Sequence, residues 1–145
     1  MISSALSNRL VFIFSLLGLG VASFLFYEYQ FSSSVYCFTG TGCDAVRNSL
    51  YSSFFGISIP FLGIVFYFTV AIFALLRSHG AYDKIFFKLQ LWSSVVAVAF
   101  GTYLTVLEIF VIKAICFWCV LSFIISLVIL LLIILGRKIS YENGN

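Results

Sequence analysis

The segment Cys116–Leu135, which reads CFWCVLSFIISLVILLLIIL, combines a C-x-x-C motif with a long apolar run. About 20 mostly apolar residues are enough for a helix to cross a bilayer. Cysteines three residues apart are separated by about one turn of an α-helix, so both thiols would open the same helix. The segment therefore predicts a membrane-spanning helix that begins with a pair of thiols.

The rest of the chain has the composition of an integral membrane protein. Of its 145 residues, 63% are apolar and only 9% are charged, and the mean hydropathy is +1.17. Soluble domains carry about a quarter charged residues. The net charge of +3 is small and dispersed, so nucleic acid is not an expected partner. We predict an all-α membrane protein in which residues 1–145 form one four-helix bundle, with no soluble catalytic domain.

Four apolar stretches predict the spans of this bundle. The first resembles a signal peptide, but its apolar run is longer than the usual 7–15 residues and no cleavage site follows, so we expect it to be retained. The connection after it, residues 28–55, is long, and within it Asp44–Tyr51 predicts a short half-helix with Asp44 as its N-cap. We expect this half-helix to lie on the bilayer surface. The predicted spans are residues 10–27, 56–76, 89–110 and 116–135, each with approximate ends.

The basic residues predict the orientation of the bundle. Cytoplasmic loops of membrane proteins accumulate Lys and Arg. The two termini and the middle loop hold six of them, and the first and third loops hold two. We therefore expect both termini in the cytoplasm and both cysteine pairs on the opposite, oxidising face, where disulfides persist. The six are Arg9, Arg77, Lys84, Lys88, Arg137 and Lys138, and the two are Arg47 and Lys113.

The chemistry of Cys116 and Cys119 follows from their place at a helix start. A helix N-terminus presents unpaired N–H groups and the positive end of the helix dipole. Both stabilise a thiolate, which is the reactive species in disulfide exchange. The alternative is a static disulfide or two buried thiols, and the C-x-x-C motif by itself does not decide between them.

A second pair, Cys37 and Cys43, lies in the long loop around two glycines that favour mobility. Alone, this pair fits a small structural disulfide. Four thiolates could also hold zinc, although an oxidising compartment disfavours it, and we predict no metal site. Together the two pairs favour electron transfer: the loop pair would receive electrons from a soluble dithiol protein, and the helix pair would face an acceptor dissolved in the bilayer.

An ordered set of residues resembles the vitamin K epoxide reductase family. Cys37-x5-Cys43 is followed by Asp44 and Ser49, then by Gly56-Ile57, Gly63 and Tyr67, and the C-x-x-C opens the last span. The resemblance covers residues 36–135. It implies a four-helix bundle around a quinone, with the outer loop and its half-helix as a lid.

The resemblance also implies roles for individual residues. Cys119 would react with the quinone, Cys116 would exchange with the loop pair, and Cys37 and Cys43 would carry electrons from a thioredoxin-like (DsbA-like) partner. The quinone would be ubiquinone or menaquinone. The residues expected to contact it are Ser49, Phe55, Ile59, Trp118 and Phe123.

Departures from the family pattern narrow the expected substrate. Animal members that reduce the epoxide carry asparagine where Ile59 stands and tyrosine where Phe123 stands, so we expect a plain quinone as the acceptor. Bacterial members often read Gly-Ile-Pro, whereas here Ser58 follows Gly56-Ile57 and the proline is delayed to Pro60. The short cysteine loop resembles the prokaryotic form, so we expect the protein in a bacterial or archaeal cell (inner) membrane. Many such members carry a fused thioredoxin-like domain, so a separate partner is implied here.

Three other functions compete with disulfide formation by a quinone-linked enzyme. A DsbB-type oxidase performs the same chemistry, but its C-x-x-C lies in the first outer loop. Vitamin K epoxide reduction proper and a non-catalytic scaffold with two structural disulfides are the others.

Glu108, near the end of the third span, is expected to be an interfacial carboxylate that reaches water near Lys113, with proton transfer to a quinone as the alternative. Gly18 and Gly20 are expected to permit close helix packing.

Overall fold

Four long helices form the body of the protein in a computed structural model that describes residues 4–38, 40–79 and 83–142. They are α1 (Ser4–Phe31), α3 (Ile59–Ser78), α4 (Asp83–Leu107) and α5 (Phe117–Glu142). A short helix, α2 (Gly42–Arg47), lies between α1 and α3. Each long helix contains a stretch that is long and apolar enough to cross a membrane: Ala5–Phe31, Ile59–Ser78, Lys84–Ile112 (which includes the turn after α4) and Phe117–Lys138. The protein is an integral membrane helical bundle, as the sequence predicted.

The helices α1 and α5 pack against each other, and α4 packs against α5. The helix α3 contacts both α1 and α4. The centre is filled by residues from α1, α3 and α5, while large apolar side chains such as Leu17, Phe68 and Leu131 point outward. In a bilayer the outward side chains face lipid, so close packing and hydrogen bonds hold the helices together. The buried central cluster is Val11, Ala22, Tyr67, Val70, Ala74, Ile125, Ile129, Leu132 and Ile133.

The Tyr67 side chain shows how close this packing is. Its ring lies directly over Gly18, where an added Cβ would overlap the ring. Its hydroxyl group contacts the backbone oxygen and the hydroxyl of Ser122, each at 2.8 Å. Gly18 thus permits close packing of α1 against α3, as the sequence predicted. The same prediction for Gly20 is wrong, because Gly20 has open space around it.

The helix boundaries differ from the predicted spans. The helices α1, α4 and α5 continue into the polar flanks of their apolar runs, because a helix does not end where hydropathy falls. The helix α3 instead begins at Ile59, later than the predicted residue 56. Two short antiparallel strands, β1 (Ser53–Phe54) and β2 (Ile57–Ser58), precede it. The two residues between them, Phe55 and Gly56, have φ of 51° and 81°, the left-handed conformation that a tight two-residue hairpin requires.

The half-helix also differs from its prediction. It spans Gly42–Arg47 rather than Asp44–Tyr51, and Asp44 is not its N-cap. The Asp44 carboxylate instead accepts a hydrogen bond from the Val35 backbone N–H at 2.7 Å. This bond fastens the start of α2 to the segment that follows α1. The close approach of Gly42 to the Ile115 carbonyl brings the same helix against the start of α5.

Candidate active site

The loop cysteines form a disulfide at one end of the bundle. Cys37 and Cys43 are bonded to each other, with Cα atoms 5.9 Å apart. Cys43 is fully buried as the second residue of α2, whereas Cys37 is only half-buried. The two sulfurs of one bond therefore face different surroundings. Cys37 can be reached from outside, and Cys43 faces the protein interior.

The interior neighbour of Cys43 is Cys116. The two sulfurs are 3.5 Å apart, and both side chains are fully buried. Cys116 and Cys119 are free thiols. In thiol–disulfide exchange a thiolate attacks one sulfur of a disulfide, and reacting atoms about 3–3.5 Å apart are at the separation from which such reactions start. Cys116 is thus placed to exchange with Cys43.

The backbone at the start of α5 prepares Cys116 for this reaction. Its carbonyl accepts the first helical hydrogen bond, from the Val120 N–H at 3.1 Å, so Cys116 occupies the cap position just before α5. A hydrogen bond from the Cys119 thiol lowers the pKa of Cys116, helped by the backbone N–H groups of Cys119 and Trp118 and opposed by burial. A lowered thiol pKa increases the thiolate fraction at neutral pH. The direction agrees with the helix-start argument from the sequence.

Cys119 lies on the other side of this pair, in the wall of a cavity of about 380 Å³ between the four helices. The cavity is almost entirely apolar. Volumes of about 300–1,000 Å³ with mostly apolar walls are typical of small-molecule sites. Its walls are formed by Val21, Ala22, Leu25, Phe54, Ile59, Pro60, Leu62, Gly63, Phe66, Tyr67, Ser93, Val96, Ala97, Phe100, Gly101, Leu104, Thr105, Glu108, Cys119, Ser122, Phe123 and Ser126.

A loop disulfide in contact with a C-x-x-C, on a four-helix membrane bundle, agrees with what a comparison of sequences finds. Residues 9–134 match the model of the vitamin K epoxide reductase family. The chain belongs to this family. A search of curated proteins found no match. Because members of the vitamin K epoxide reductase family are oxidoreductases, the protein is a membrane enzyme of disulfide chemistry.

The expected quinone-contact residues of this vitamin K epoxide reductase family member fall into two groups. Ile59 and Phe123 line the cavity, on α3 and α5. Ser49, Phe55 and Trp118 do not line it. Ser49 directs its hydroxyl to the Val46 carbonyl at 2.6 Å, and Phe55 is 90% exposed at the hairpin tip. Their roles in quinone contact stay predictions.

Trp118, in the middle of the C-x-x-C, fastens the cysteine loop to α5. Its indole N–H donates to the Tyr36 carbonyl at 2.7 Å, next to Cys37. Its ring packs against Phe24 of α1, with centroids 4.9 Å apart. These contacts join the cysteine loop to the start of α5, so Trp118 helps to hold the two cysteine pairs close together.

Glu108 is not the interfacial carboxylate that the sequence predicted. It is 3% exposed, and its carboxylate accepts a hydrogen bond from the Cys116 N–H at 3.2 Å. The reason is local: α4 continues into a π-helical turn, Glu108–Ile112, and the chain then reverses at Lys113, which has a φ of 54°. The wide turn points Glu108 inward, toward the thiols, rather than toward water. An acidic residue within an apolar span could have indicated a buried carboxylate. The π-helical turn that points it inward could not be predicted from the sequence.

The described residues contain no group of three or more His, Cys, Asp or Glu side chains arranged to hold a metal ion. The sulfurs of Cys37 and Cys43 are joined to each other. The contact between this disulfide and the Cys116 thiol is a geometry suited to sulfur exchange.

Proposed function

We propose that the protein is a thiol:quinone oxidoreductase that forms disulfides by passing electrons from a thioredoxin-like partner through its two cysteine pairs to a quinone. The observation that carries this proposal is the 3.5 Å contact between Cys43 and Cys116, with Cys119 in the wall of an apolar cavity next to it. The thiols thus form a continuous route from a half-buried sulfur to a site that a lipid-soluble acceptor fits.

The order of the steps follows from the exposure of the sulfurs. One thiolate of the partner attacks Cys37, the accessible end of the loop disulfide, and releases Cys43. The partner's second thiolate then attacks the mixed disulfide, which leaves the partner oxidised and releases Cys37. When Cys116 and Cys119 are joined, the Cys43 thiolate attacks Cys116 and releases Cys119. Cys37 then resolves the Cys43–Cys116 bond, which regenerates the loop disulfide and leaves both helix thiols reduced. This product has the bonding pattern of the structure, with a loop disulfide and two free thiols.

The cavity fits the quinone ring in both size and polarity. A quinone ring is flat and mostly apolar, and the aromatic walls of the cavity, such as Phe66, Phe100 and Phe123, suit it. When bound, the quinone accepts the two electrons of the thiol pair. The apolar Ile59 and Phe123 side chains in the wall favour a plain quinone over the vitamin K epoxide.

The proposed orientation indicates the side of the membrane on which the enzyme would form disulfides. Both cysteine pairs lie at the same end of the bundle, in contact, and the distribution of basic residues supports an orientation in which this end faces away from the cytoplasm. Disulfide formation there would keep an extracytoplasmic compartment oxidising. The proposed site of action is the outer face of a prokaryotic cell membrane.

Quinone reduction by the purified protein, supplied with a reduced thioredoxin-like donor, tests the proposal. The wild type should reduce the quinone and oxidise the donor in equal amounts. Cys119→Ala should reduce none above background, and Thr102→Ala, which changes an exposed side chain of α4 outside the cavity wall, should behave as the wild type. Equal slow rates for the wild type and Cys119→Ala would leave the scaffold with structural disulfides as the better explanation.

A trapping experiment tests the route of the electrons. With Cys37 and Cys119 both changed to serine, the remaining Cys43 and Cys116 should join in one disulfide, detected by mass spectrometry without reduction. The matched variant, which keeps Cys37 and Cys116 instead, should give little or none. Equal trapping in both variants would contradict the assignment of Cys43 as the inner sulfur.

A further inference from the structure

Glu108 lies where the two helix thiols and the cavity meet. Its carboxylate holds the Cys116 N–H at 3.2 Å and interacts with the Cys119 thiol. It also lines the cavity, where it is the one carboxylate among the described wall residues. A carboxylate buried in an apolar environment is costly, and such residues in membrane spans commonly mark proton or ion pathways.

The reaction at Cys119 requires a group that moves protons. Two thiols and one quinone give one disulfide and one hydroquinone. The S–S bond forms between Cys116 and Cys119, two S–H bonds break, two electrons pass to the quinone ring, and two O–H bonds form on it. The thiols supply both protons, so the balance needs no other donor. The protons must nevertheless travel from sulfur to oxygen inside a cavity whose surface is almost entirely apolar.

We propose that Glu108 is the acid–base residue of this step, which accepts the proton of the Cys119 thiol and delivers it to the quinone oxygen. This role rests on the proposed function. Glu108 contacts a reacting thiol on one side and the cavity on the other, so one carboxylate can serve both transfers. The π-helical turn Glu108–Ile112 aims the side chain at this position, and π-helical turns are frequent at functional sites.

The other titratable groups around Glu108 complete its electrostatic environment. Cys116 and Cys119 face it from the start of α5, and Tyr29 faces it from α1. On α2, Arg47 donates to the Tyr29 carbonyl at 3.0 Å and Asp44 is held by the Val35 N–H. On α3, the hydroxyl of Tyr67 is engaged by Ser122. Among these groups, only Glu108 brings a carboxylate next to the Cys119 thiol.

Glu108→Gln is the decisive variant, because glutamine keeps an oxygen for the Cys116 N–H but cannot carry the proton. Single-turnover quinone reduction by the prereduced protein should slow by about 10²-fold or more, the usual contribution of a general acid–base group. Exchange between the loop pair and Cys116, measured without quinone, should not slow, because the charge of Glu108 raises rather than lowers the pKa of Cys116. Glu28→Gln, a matched change of a carboxylate that contacts the Tyr36 N–H outside the cavity, should leave both rates unchanged.

Two outcomes would overturn the role of Glu108. One is wild-type quinone reduction by Glu108→Gln. The other is an equal loss in the exchange and quinone steps, which would make Glu108 a structural clamp on Cys116. A wild type that reduces no quinone would instead refute the proposed function, so the two failures are distinguishable.

Infrared difference spectra of the quinone-free protein give a readout that does not depend on activity. Oxidation of the helix thiols should change a carboxylic-acid C=O band, and this band should shift in Glu108→Asp, which retains a carboxyl group. The same measurement serves if Glu108→Gln does not fold. If no carboxyl band changes in the wild type, the role in proton transfer is refuted.

Discussion

The two ends of the bundle differ in how they accommodate polar groups within the membrane. At the cysteine end, the helices separate around a cavity of about 380 Å³, and the polar groups beside it include two thiols and the Glu108 carboxylate, which contact one another. At the far end, small polar side chains fill the contacts between helices. Ser7 donates to the Leu132 carbonyl, Asn8 donates to the Ala74 carbonyl, and Arg77 donates to Gln90. Hydrogen bonds between helices hold the far end together, whereas the cysteine end keeps a cavity between its helices.

The comparison shows where this fold tolerates the loss of packing contacts between helices. A cavity forfeits contacts between helices, and its cost rises with its volume. Hydrogen bonds between helices at the far end and the dense centre around Tyr67 offset that loss. The open end is therefore the place where substitutions should change the reaction, and the far end is where they should change only stability.

The largest expected effect comes from filling the cavity. Ala97→Phe places a ring in the space that we assign to the quinone, and quinone reduction should fall by about 10²-fold, as expected when a reactant is displaced from its position. Exchange between Cys43 and Cys116 should continue, because these sulfurs lie outside the cavity wall. Steady-state and single-turnover rates check this prediction. Ala99→Phe, on an exposed face of the same helix, is the matched control, and equal rates for both variants would show that the cavity is not the acceptor site.

The second prediction concerns pH. The pKa of Cys116 is lowered chiefly by the Cys119 thiol. Its thiolate therefore forms at lower pH than an ordinary thiolate, and exchange with Cys43 should reach its plateau below the usual thiol pKa of about 8.5. Cys119→Ala removes the hydrogen bond, so the plateau should move to higher pH and the rate at neutral pH should fall. Stopped exchange reactions followed by alkylation and mass spectrometry measure the profile, and an unchanged profile in the variant would contradict the assignment.

A smaller effect is expected at Gly18, between the two ends. An added Cβ there overlaps the ring of Tyr67, so Gly18→Ala should lower the free energy of unfolding by about 1–3 kcal/mol, the usual cost of overpacking. Gly20→Ala meets open space and should be neutral or slightly stabilising, because alanine is the better helix former. Thermal or denaturant unfolding in detergent checks the pair, and equal stabilities would show that α1 and α3 pack less closely than described.

The smallest effects are expected at the far end. Ser7→Ala loses a hydrogen bond between helices and should cost about 0.6 kcal/mol, the average for such bonds in a membrane. Ser94 is also buried, but its hydroxyl has no hydrogen-bond partner among the described residues. Ser94→Ala should therefore be neutral or stabilising, because it removes an unsatisfied polar group. Unfolding free energies distinguish the two, and quinone reduction should be unchanged in both.

The amino-acid sequence predicts the bundle and the cysteines well because these depend on short-range patterns. Apolar runs define the spans, and the positions of Cys37, Cys43, Cys116 and Cys119 follow from motif spacing. The half-helix was predicted at the wrong residues because Asp44 bonds to Val35, a contact made by tertiary structure rather than by local preference. The hairpin before α3 was missed because its tip is Phe55-Gly56, in which a phenylalanine adopts the left-handed conformation.

The surroundings of the thiols were harder to predict than the thiols themselves. The cavity wall contains residues from all four long helices, so no single segment reveals it. The inward direction of Glu108 depends on a π-helical turn, and an α-helix with the same sequence would direct the side chain differently. Ile59 and Phe123 were found by resemblance, while the contact between Trp118 and Tyr36 required the folded loop.

The sequence separations of the sulfur contacts set the order in which the enzyme is completed during its synthesis. The two loop cysteines are six residues apart, whereas Cys43 and Cys116 are 73 residues apart. Chains emerge from the ribosome N-terminus first, so the loop disulfide can close while α4 and α5 have not yet been made. The contact that passes electrons inward forms only after the last helix has entered the bilayer. A truncated chain therefore has a loop disulfide without Cys116 beside it. It can accept one pair of electrons from a partner, but it cannot pass them on to an acceptor.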